Sequence, residues 1–127
     1  MELNTHLNIN HALCGSITAL QKGRCVVTLT PTPEMGADEQ KLVHGGFIFG
    51  MADYAAMCAV NDPYVVLGAA ETRFLKPVKV GEILTAEAVV EETEGKKNIV
   101  PVSVKRGEEI VFKGTFTCFV LDAHVLG

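Results

Sequence analysis

Residues 47–60 read Phe-Ile-Phe-Gly-Met-Ala-Asp-Tyr-Ala-Ala-Met-Cys-Ala-Val, and this stretch decides the fold. Alanine and methionine favour a helix, and no proline interrupts the run. From Gly46 to Val60 the only charged side chain is that of Asp53. A helix that is apolar on every side must be buried, so we expect the rest of the chain to wrap around it. At about 1.5 Å per residue the helix is about 22 Å long, which is short for a bilayer span.

The sequence on both sides of this helix predicts strands. On the N-terminal side, residues 16–20 and 24–30 form a hairpin whose strands are rich in β-branched residues. A short helix over residues 5–13 precedes the hairpin, with Asn4 or Thr5 as its cap. On the C-terminal side the predicted strands lie near residues 64–75, 83–92, 97–105 and 109–121. The short turns between them imply antiparallel neighbours.

These elements predict an α+β fold, in which an antiparallel sheet of five or six strands wraps around one long buried helix. The chain has 127 residues, of which 48% are hydrophobic and 20% are charged. This length and composition predict a single domain over residues 1–127 and exclude intrinsic disorder.

Charge and cysteine usage exclude several classes of function. The formal net charge is −4, so the chain lacks the basic footprint of a general nucleic-acid binder. No apolar run reaches membrane-spanning length and the N-terminus has no secretion pattern, so we expect a cytoplasmic protein. The four cysteines form no CxxC pair, and we expect them to be reduced and mostly buried; they are Cys14, Cys25, Cys58 and Cys118. We expect no metal site and no cofactor, because no HExxH, P-loop or dinucleotide-binding motif is present.

Asp53 is the first candidate for chemistry. A carboxylate in an apolar helix costs several kcal/mol to desolvate unless it has partners. One reading is structural, with the carboxylate either satisfied by backbone N–H groups or pointing out of an edge. The other is catalytic, because desolvation raises a carboxylate's pKa and makes it a better base.

His44, Gly45 and Gly46 form a second candidate at the start of the helix. The first N–H groups of a helix have no partner within it and carry the positive end of its dipole. Two glycines let a ligand approach these groups, which suits a thioester carbonyl or an oxyanion. The structural alternative is a plain turn and cap in which His44 packs as a neutral ring.

The spacing of the two candidates adds a condition. Asp53 follows Gly45 by eight residues, which is about 12 Å along one helix. Both can act on one substrate atom only if they come from different chains. The spacing therefore predicts a homodimer with antiparallel helices and two shared sites.

The region that follows contains charged residues, among them Glu71, Arg73, Lys76 and Lys79. Lysines and arginines commonly protect the edges of sheets, and that is the structural reading. The functional reading is a clamp for the phosphates of a nucleotide-bearing substrate.

Two segments together resemble the hotdog-fold thioesterases, most closely the acyl-CoA thioesterases of the phenylacetate-pathway (PaaI) type. They are His-Gly-Gly-Phe-Ile-Phe-Gly-Met-Ala-Asp-Tyr-Ala at 44–55 and Glu-Thr-Arg-Phe-Leu-Lys-Pro-Val-Lys-Val-Gly-Glu at 71–82. The resemblance implies hydrolysis of a small or aromatic acyl-CoA, with coenzyme A entering only as part of the substrate. It also implies a dimer or a dimer of dimers.

The resemblance assigns roles to individual residues. Gly45 donates its N–H to the thioester carbonyl, Asp53 of the partner subunit activates water or attacks the carbonyl, and His44 shapes the helix start. The other expected binding residues are Gly46, Asp38, Tyr54, Met57, Arg73, Lys76 and Lys79, with Phe49 beside the acyl group.

Asp38 departs from the family pattern, because relatives often carry a side-chain amide at this position in the loop. A carboxylate cannot donate the same hydrogen bond unless it is protonated, although Gln40 could take its place. Asp38 therefore favours the alternative function, an acyl-CoA-binding or sensing protein without turnover, whereas Asp53 favours the enzyme. A hotdog hydratase needs a His–acid pair with other flanking motifs, which are absent.

Overall fold

The computed structural model describes all residues from Met1 to Gly127 and contains two α-helices and seven strands. In chain order these elements are α1 (His11–Cys14), β1 (Ser16–Gln21), β2 (Arg24–Leu29), α2 (Gly45–Val60), β3 (Val65–Phe74), β4 (Leu84–Val89), β5 (Glu92–Glu94), β6 (Lys97–Arg106) and β7 (Glu109–Val120). A 3₁₀ turn, Pro33–Met35, lies in the loop between β2 and α2.

The seven strands form one antiparallel sheet in the order β1-β2-β4-β6-β7-β3, and β5 pairs with β6 outside this path. Each strand pair is antiparallel. Strand β3 is an edge strand, because β7 is its only neighbour. The sheet therefore ends in a ten-residue strand with one unpaired edge.

Helix α2 lies against the inner face of the sheet, where it packs mainly on β2, β4 and β6. The strands present alternating buried residues to it, such as Ala86 and Ala88 in β4. Alanines on both sides allow a close approach of the helix to the sheet. Burial of this apolar surface, at about 25 cal/mol per Å², supplies the main driving force for the fold.

The structure confirms the fold class that the sequence predicts. The buried helix expected at 46–60 begins at Gly45 and ends at Val60. The sheet has seven strands rather than five or six. The strand expected at 83–92 ends at Val89, and the chain then forms the short additional strand β5 against β6.

The prediction of a helix over residues 5–13 is wrong, because α1 contains only His11–Cys14. Asn10 caps this turn, since its side-chain oxygen accepts a hydrogen bond from the N–H of Ala12. The preceding residues are tied instead to the end of α2. The Asn61 side chain accepts from the N–H of Asn4 and donates to the carbonyl of Glu2. These bonds and the positive φ of His6 keep the segment out of a helix.

The four cysteines are free thiols, and three of them are buried, as expected; Cys14 is half-buried. None of the helices combines the length and the apolarity that crossing a membrane requires.

Candidate active site

The start of α2 presents two backbone N–H groups without a partner. His44 is the N-cap residue, and its side chain makes no capping hydrogen bond. Its main-chain N–H donates to the carbonyl of Met35, which fixes the entry of the chain into the helix. The N–H groups of Gly45 and Gly46 donate to no atom of the chain. They lie at the positive end of the helix dipole and are available to an acceptor.

Neighbouring aromatic rings lie close to both glycines. A Cβ on Gly45 would lie 3.0 Å from Cε2 of Phe74, and a Cβ on Gly46 would lie 3.1 Å from the His44 ring. The exposed His44 ring also stands edge-on to Phe47, at 6.1 Å between ring centroids. The observed contacts of His44 agree with the interpretation in which its ring packs against neighbouring groups. The N–H groups of Gly45 and Gly46 beside it stay free.

A pocket of about 210 Å³ lies beside Gly45. One side is formed by Val43, Gly45 and Ile48, and the other by the continuous segment 74–78. Most of these residues are apolar, and Lys76 is the single charged one. The pocket can therefore receive a small apolar group next to the free N–H of Gly45.

Asp53 lies two helical turns further along α2. Its Oδ1 atom is buried and has no hydrogen-bond partner. Desolvation by burial raises the pKa of this carboxyl to about 6. The structural reading, in which backbone N–H groups satisfy the carboxylate, is therefore not what the chain shows at this oxygen. A desolvated carboxylate with a pKa near neutral can act as a base.

Gly45 and Asp53 lie on the same helix, eight residues apart, and are thus separated by about 12 Å along its axis. A carbonyl bound to the N–H of Gly45 is beyond the reach of the Asp53 carboxylate of the same chain. The two groups can share a substrate atom only between two copies of the chain.

Tyr54 and Met57, expected to contact substrate, lie in the core, where each is 2% exposed. The Tyr54 ring packs against His6 and His11 of the N-terminal segment, and its buried hydroxyl has no hydrogen-bond partner. Burial raises the pKa of this hydroxyl. Phe49 is half-buried and contacts Phe116 at 5.4 Å between centroids.

Asp38 is exposed, and its Oδ1 accepts hydrogen bonds from the N–H groups of Gln40 and Leu42. The carboxylate thus stabilises the loop before α2. Gln40 is also exposed, and its side chain makes no hydrogen bond within the chain.

The three expected phosphate ligands are not in one place. Lys76 lines the pocket beside Gly45, whereas Lys79 is exposed on the same loop but outside the pocket. Arg73 is paired in register with Lys113 and lines a separate polar groove of about 790 Å³ on β3, β6 and β7. Its neighbour Phe74 packs against Phe112 and Gly45 instead. Arg73 and Phe74 thus point to opposite faces of β3, and Lys76 lies beyond the strand on the Phe74 side, at the pocket.

Sequence reasoning named Lys76 but missed Phe74, Leu75, Pro77 and Val78 as pocket residues. The sequence contained a signal, because residues 74–78 lie inside the segment 71–82 that resembles the family, directly after the charged residues Glu71 and Arg73. It did not show that this segment would cross to the start of α2.

Comparison with known proteins defines the class. The family model of the thioesterase superfamily matches residues 40–113, which include the start of α2, Asp53 and the pocket segment. The chain therefore belongs to the thioesterase superfamily. The solved structures that resemble it include PaaI from the phenylacetic acid degradation operon of E. coli, with 28% identity and a TM-score of 0.78 over 85% of this chain and 84% of that one. This confirms the hotdog fold and the resemblance to the PaaI type.

An uncharacterised protein of Pyrococcus horikoshii, PH1136, is nearly superimposable, with a TM-score of 0.99 and 53% identity over 100% of this chain and 98% of that one. Among curated proteins, a methylthioribose-1-phosphate isomerase of Aquifex aeolicus is 49% identical over 96% of this chain but only 27% of its own length. A transcription factor FapR of Caldanaerobacter subterraneus is 32% identical over 88% of this chain and 56% of its own length. The chain thus spans about a quarter of the length of the first of these two curated relatives and about half of the length of the second.

Proposed function

We propose that this chain is an acyl-CoA thioesterase that hydrolyses a small or aromatic acyl-CoA in two sites shared between the subunits of a homodimer. The observation that carries this proposal is the buried and unpartnered carboxylate of Asp53, with its pKa near 6, on the same helix as the free N–H of Gly45. Membership of the thioesterase superfamily supports the same reaction class.

In the proposed reaction, the thioester carbonyl oxygen accepts a hydrogen bond from the N–H of Gly45. The carboxylate of Asp53 from the other subunit takes a proton from water, and the hydroxide oxygen bonds to the carbonyl carbon. Collapse of the tetrahedral intermediate breaks the carbon–sulfur bond. The CoA thiolate then receives the proton that Asp53 took from water. A thiol with a pKa near 8.5 leaves with little acid assistance, so one carboxylate suffices. Direct attack by Asp53 through an anhydride is the second possible course.

The dimer is supported by the unpaired edge of β3. This ten-residue strand is mostly exposed and carries small residues at Gly68, Ala69 and Ala70. Unpaired edges are templates for strand addition, so a second copy of β3 is the natural partner. An antiparallel pairing of two β3 strands relates the subunits by a twofold axis, as shared sites require.

The pocket supports a small acyl group. Its volume of about 210 Å³ is close to that of apolar cavities that bind one benzene ring. Lys76 at the pocket is available to a phosphate of coenzyme A. Arg73 and Lys79, which lie outside the pocket, become secondary candidates for that role.

The experiment is steady-state hydrolysis of acetyl, short-chain, long-chain, benzoyl and phenylacetyl thioesters, followed by thiol release. Asp53→Asn should lower kcat by about 10² or more with the dimer intact, since it removes the only base at the site. Asp122→Asn, at a carboxylate that pairs with Lys96 on the surface, is the matched control and should keep full activity. Unchanged turnover by Asp53→Asn would contradict the mechanism.

Shared sites have their own test. Gly45→Val and Asp53→Asn should each be inactive alone. After random subunit exchange, half of the dimers contain one intact site, so the mixture should recover about a quarter of the wild-type activity. No recovery, with heterodimers demonstrated by mass spectrometry, would exclude sites shared in this way.

The second candidate is an acyl-CoA-binding protein without turnover. Two observations favour it. The Asp38 carboxylate accepts hydrogen bonds from its own loop, and the relatives include a transcription factor. Tight binding of an acyl-CoA, with no thiol released from any member of the panel, would select this function.

A further inference from the structure

One wall of the pocket beside Gly45 is the continuous segment 74–78, here called the pocket wall. Its backbone is tied to both neighbouring elements. The N–H groups of Leu75 and Lys76 both donate to the carbonyl of Val111, and the carbonyl of Val78 accepts from the N–H of Val43. Between these ties lies Pro77, which has no N–H to donate. The orientation of the Lys76–Pro77 unit therefore depends on what holds the Pro77 carbonyl.

Arg106, the last residue of β6, holds that carbonyl. Its Nη1 donates to the main-chain oxygen of Pro77 at 2.8 Å. No other side chain makes a hydrogen bond to the pocket wall. The guanidinium also contacts two carboxylates, with Nη1 donating to Glu82 at 3.0 Å and Nη2 donating to Glu109. One planar group thus joins the pocket wall to the end of the β6–β7 hairpin.

Glu82 extends this connection to the next turn. Its Oε1 accepts from the main-chain N–H of Lys79 at 2.6 Å as well as from Arg106. The hydrogen bond from Lys79 and the nearby guanidinium lower the pKa of Glu82. The carboxylate is therefore ionised at neutral pH and keeps Arg106 oriented toward Pro77.

We propose that Arg106 is a positioning residue of the substrate site: by fixing the Pro77 carbonyl, it sets the pocket wall and Lys76 against Gly45, and so sets the affinity for the acyl-CoA. This inference rests on the proposed function, because the ligand is the same. Arg106 touches neither of the reacting groups, Gly45 and Asp53. It therefore governs KM and not kcat.

Only an arginine fits this role. The guanidinium fork presents donors in fixed directions to three acceptors at once, whereas a lysine ammonium is a single point of charge on a flexible stem. Glu82 and Glu109 are partly exposed and can be solvated when the half-buried Arg106 is replaced, so the substitution should alter the pocket wall without unfolding the chain.

The test compares Arg106→Met and Arg106→Lys with wild type. Arg106→Met should raise KM about five- to tenfold with kcat within about twofold, because a displaced wall weakens binding before chemistry. Arg106→Lys should be intermediate. Arg24→Met is the matched control, since it breaks another surface arginine–glutamate pair, with Glu87, far from the pocket wall.

Hydrogen exchange supplies a readout that does not depend on turnover. Amide exchange at Leu75 and Lys76 should accelerate in Arg106→Met and not in Arg24→Met, because only the former releases the wall. An unchanged KM in Arg106→Met, or an equal loss of kcat and kcat/KM, would overturn the inference while leaving the proposed function intact. A wild type that neither hydrolyses nor binds any acyl-CoA would instead overturn the proposed function, and this inference with it.

Discussion

The two halves of helix α2 have opposite relations to the rest of the chain. In the C-terminal half, from Met51 to Ala59, every residue except Asp53 is buried. In the N-terminal half, from Gly45 to Gly50, only Ile48 is buried. One end of the helix serves as the core of the sheet, and the other leaves its backbone donors open. Asp53 is the one half-buried residue of the covered half, and its burial is sufficient to raise its pKa.

The contrast has a physical origin in what covers the helix. The inner face of the sheet packs along α2, but the N-terminal segment covers only its C-terminal half, where His6 and His11 contact Tyr54. The rings of His44 and Phe74 approach the other end, yet leave the N–H groups of the two glycines free. A helix apolar throughout can thus serve both as core and as site if a second layer covers only part of it.

The largest expected effect comes from a core substitution in the C-terminal half of α2, which the N-terminal segment covers. Met57→Ala removes a side chain that is 2% exposed and should lower the free energy of unfolding by about 2–5 kcal/mol, because it leaves a cavity. Urea unfolding measures this loss. Val89→Ala, at an exposed apolar residue of β4, should cost less than about 1 kcal/mol. A stable Met57→Ala with altered acyl preference would place Met57 in the substrate pocket instead.

That prediction follows from the burial of Met57 in the core, whereas the sequence led us to expect Met57 at the substrate. Tyr54 and Met57 flank Asp53 on the helix, so proximity in sequence suggested a common pocket. Along a helix each residue turns by about 100°, so Tyr54 faces another side of α2 than Asp53 does, whereas Met57, one turn further on, lies on the same side as Asp53 but is covered by the core. The sequence could not show which faces the sheet and the N-terminal segment would cover.

Other parts of the molecule were accessible to sequence reasoning. The apolar run fixed the helix, because its composition leaves no exposed face, and alternation fixed the long strands. Asp53 and the His-Gly-Gly start could be singled out as candidates from the cost of burying a carboxylate and from helix polarity, and the structure shows a buried Asp53 oxygen and free N–H groups at the helix start. The role of Arg106 could not be predicted, because it depends on a long-range contact with the carbonyl of Pro77.

The next effect concerns Asp53. In the unfolded chain the Asp53 carboxyl has a pKa near 3.8, and in the folded chain it has a pKa of about 6. Between these values the folded chain holds a proton that the unfolded chain has lost, so stability falls as the pH rises through this window. The asparagine in Asp53→Asn cannot ionise, so the free energy of unfolding of this variant does not fall with rising pH for this reason. It should be more stable than wild type at pH 7.5, by at most roughly 3 kcal/mol and by less where water screens the carboxylate.

The advantage should shrink as the pH falls through this window and vanish below about pH 3, where both the folded and the unfolded chain are protonated at this group. Urea unfolding at pH 4 and at pH 7.5, at one fixed protein concentration, gives the comparison. The same ionisation predicts that kcat/KM rises with pH through an apparent pKa of about 6. A stability gain independent of pH would show that the effect comes from shape and not from the charge.

The smallest expected effects concern the exposed N-terminal half of α2, where Gly45 and Gly50 form a matched pair for substitution. A Cβ on Gly45 meets the Phe74 ring at 3.0 Å, whereas a Cβ on Gly50 meets nothing within 4 Å. Gly45→Ala should push the exposed Phe74 ring into the pocket and lower kcat/KM about tenfold, with little change in stability. Gly50→Ala should keep activity and raise the free energy of unfolding by about 0.5–1 kcal/mol, because alanine loses less conformational entropy in a helix. Equal losses of activity in both variants would mean that this end of the helix contributes to activity through its surface and not through the N–H donor at Gly45.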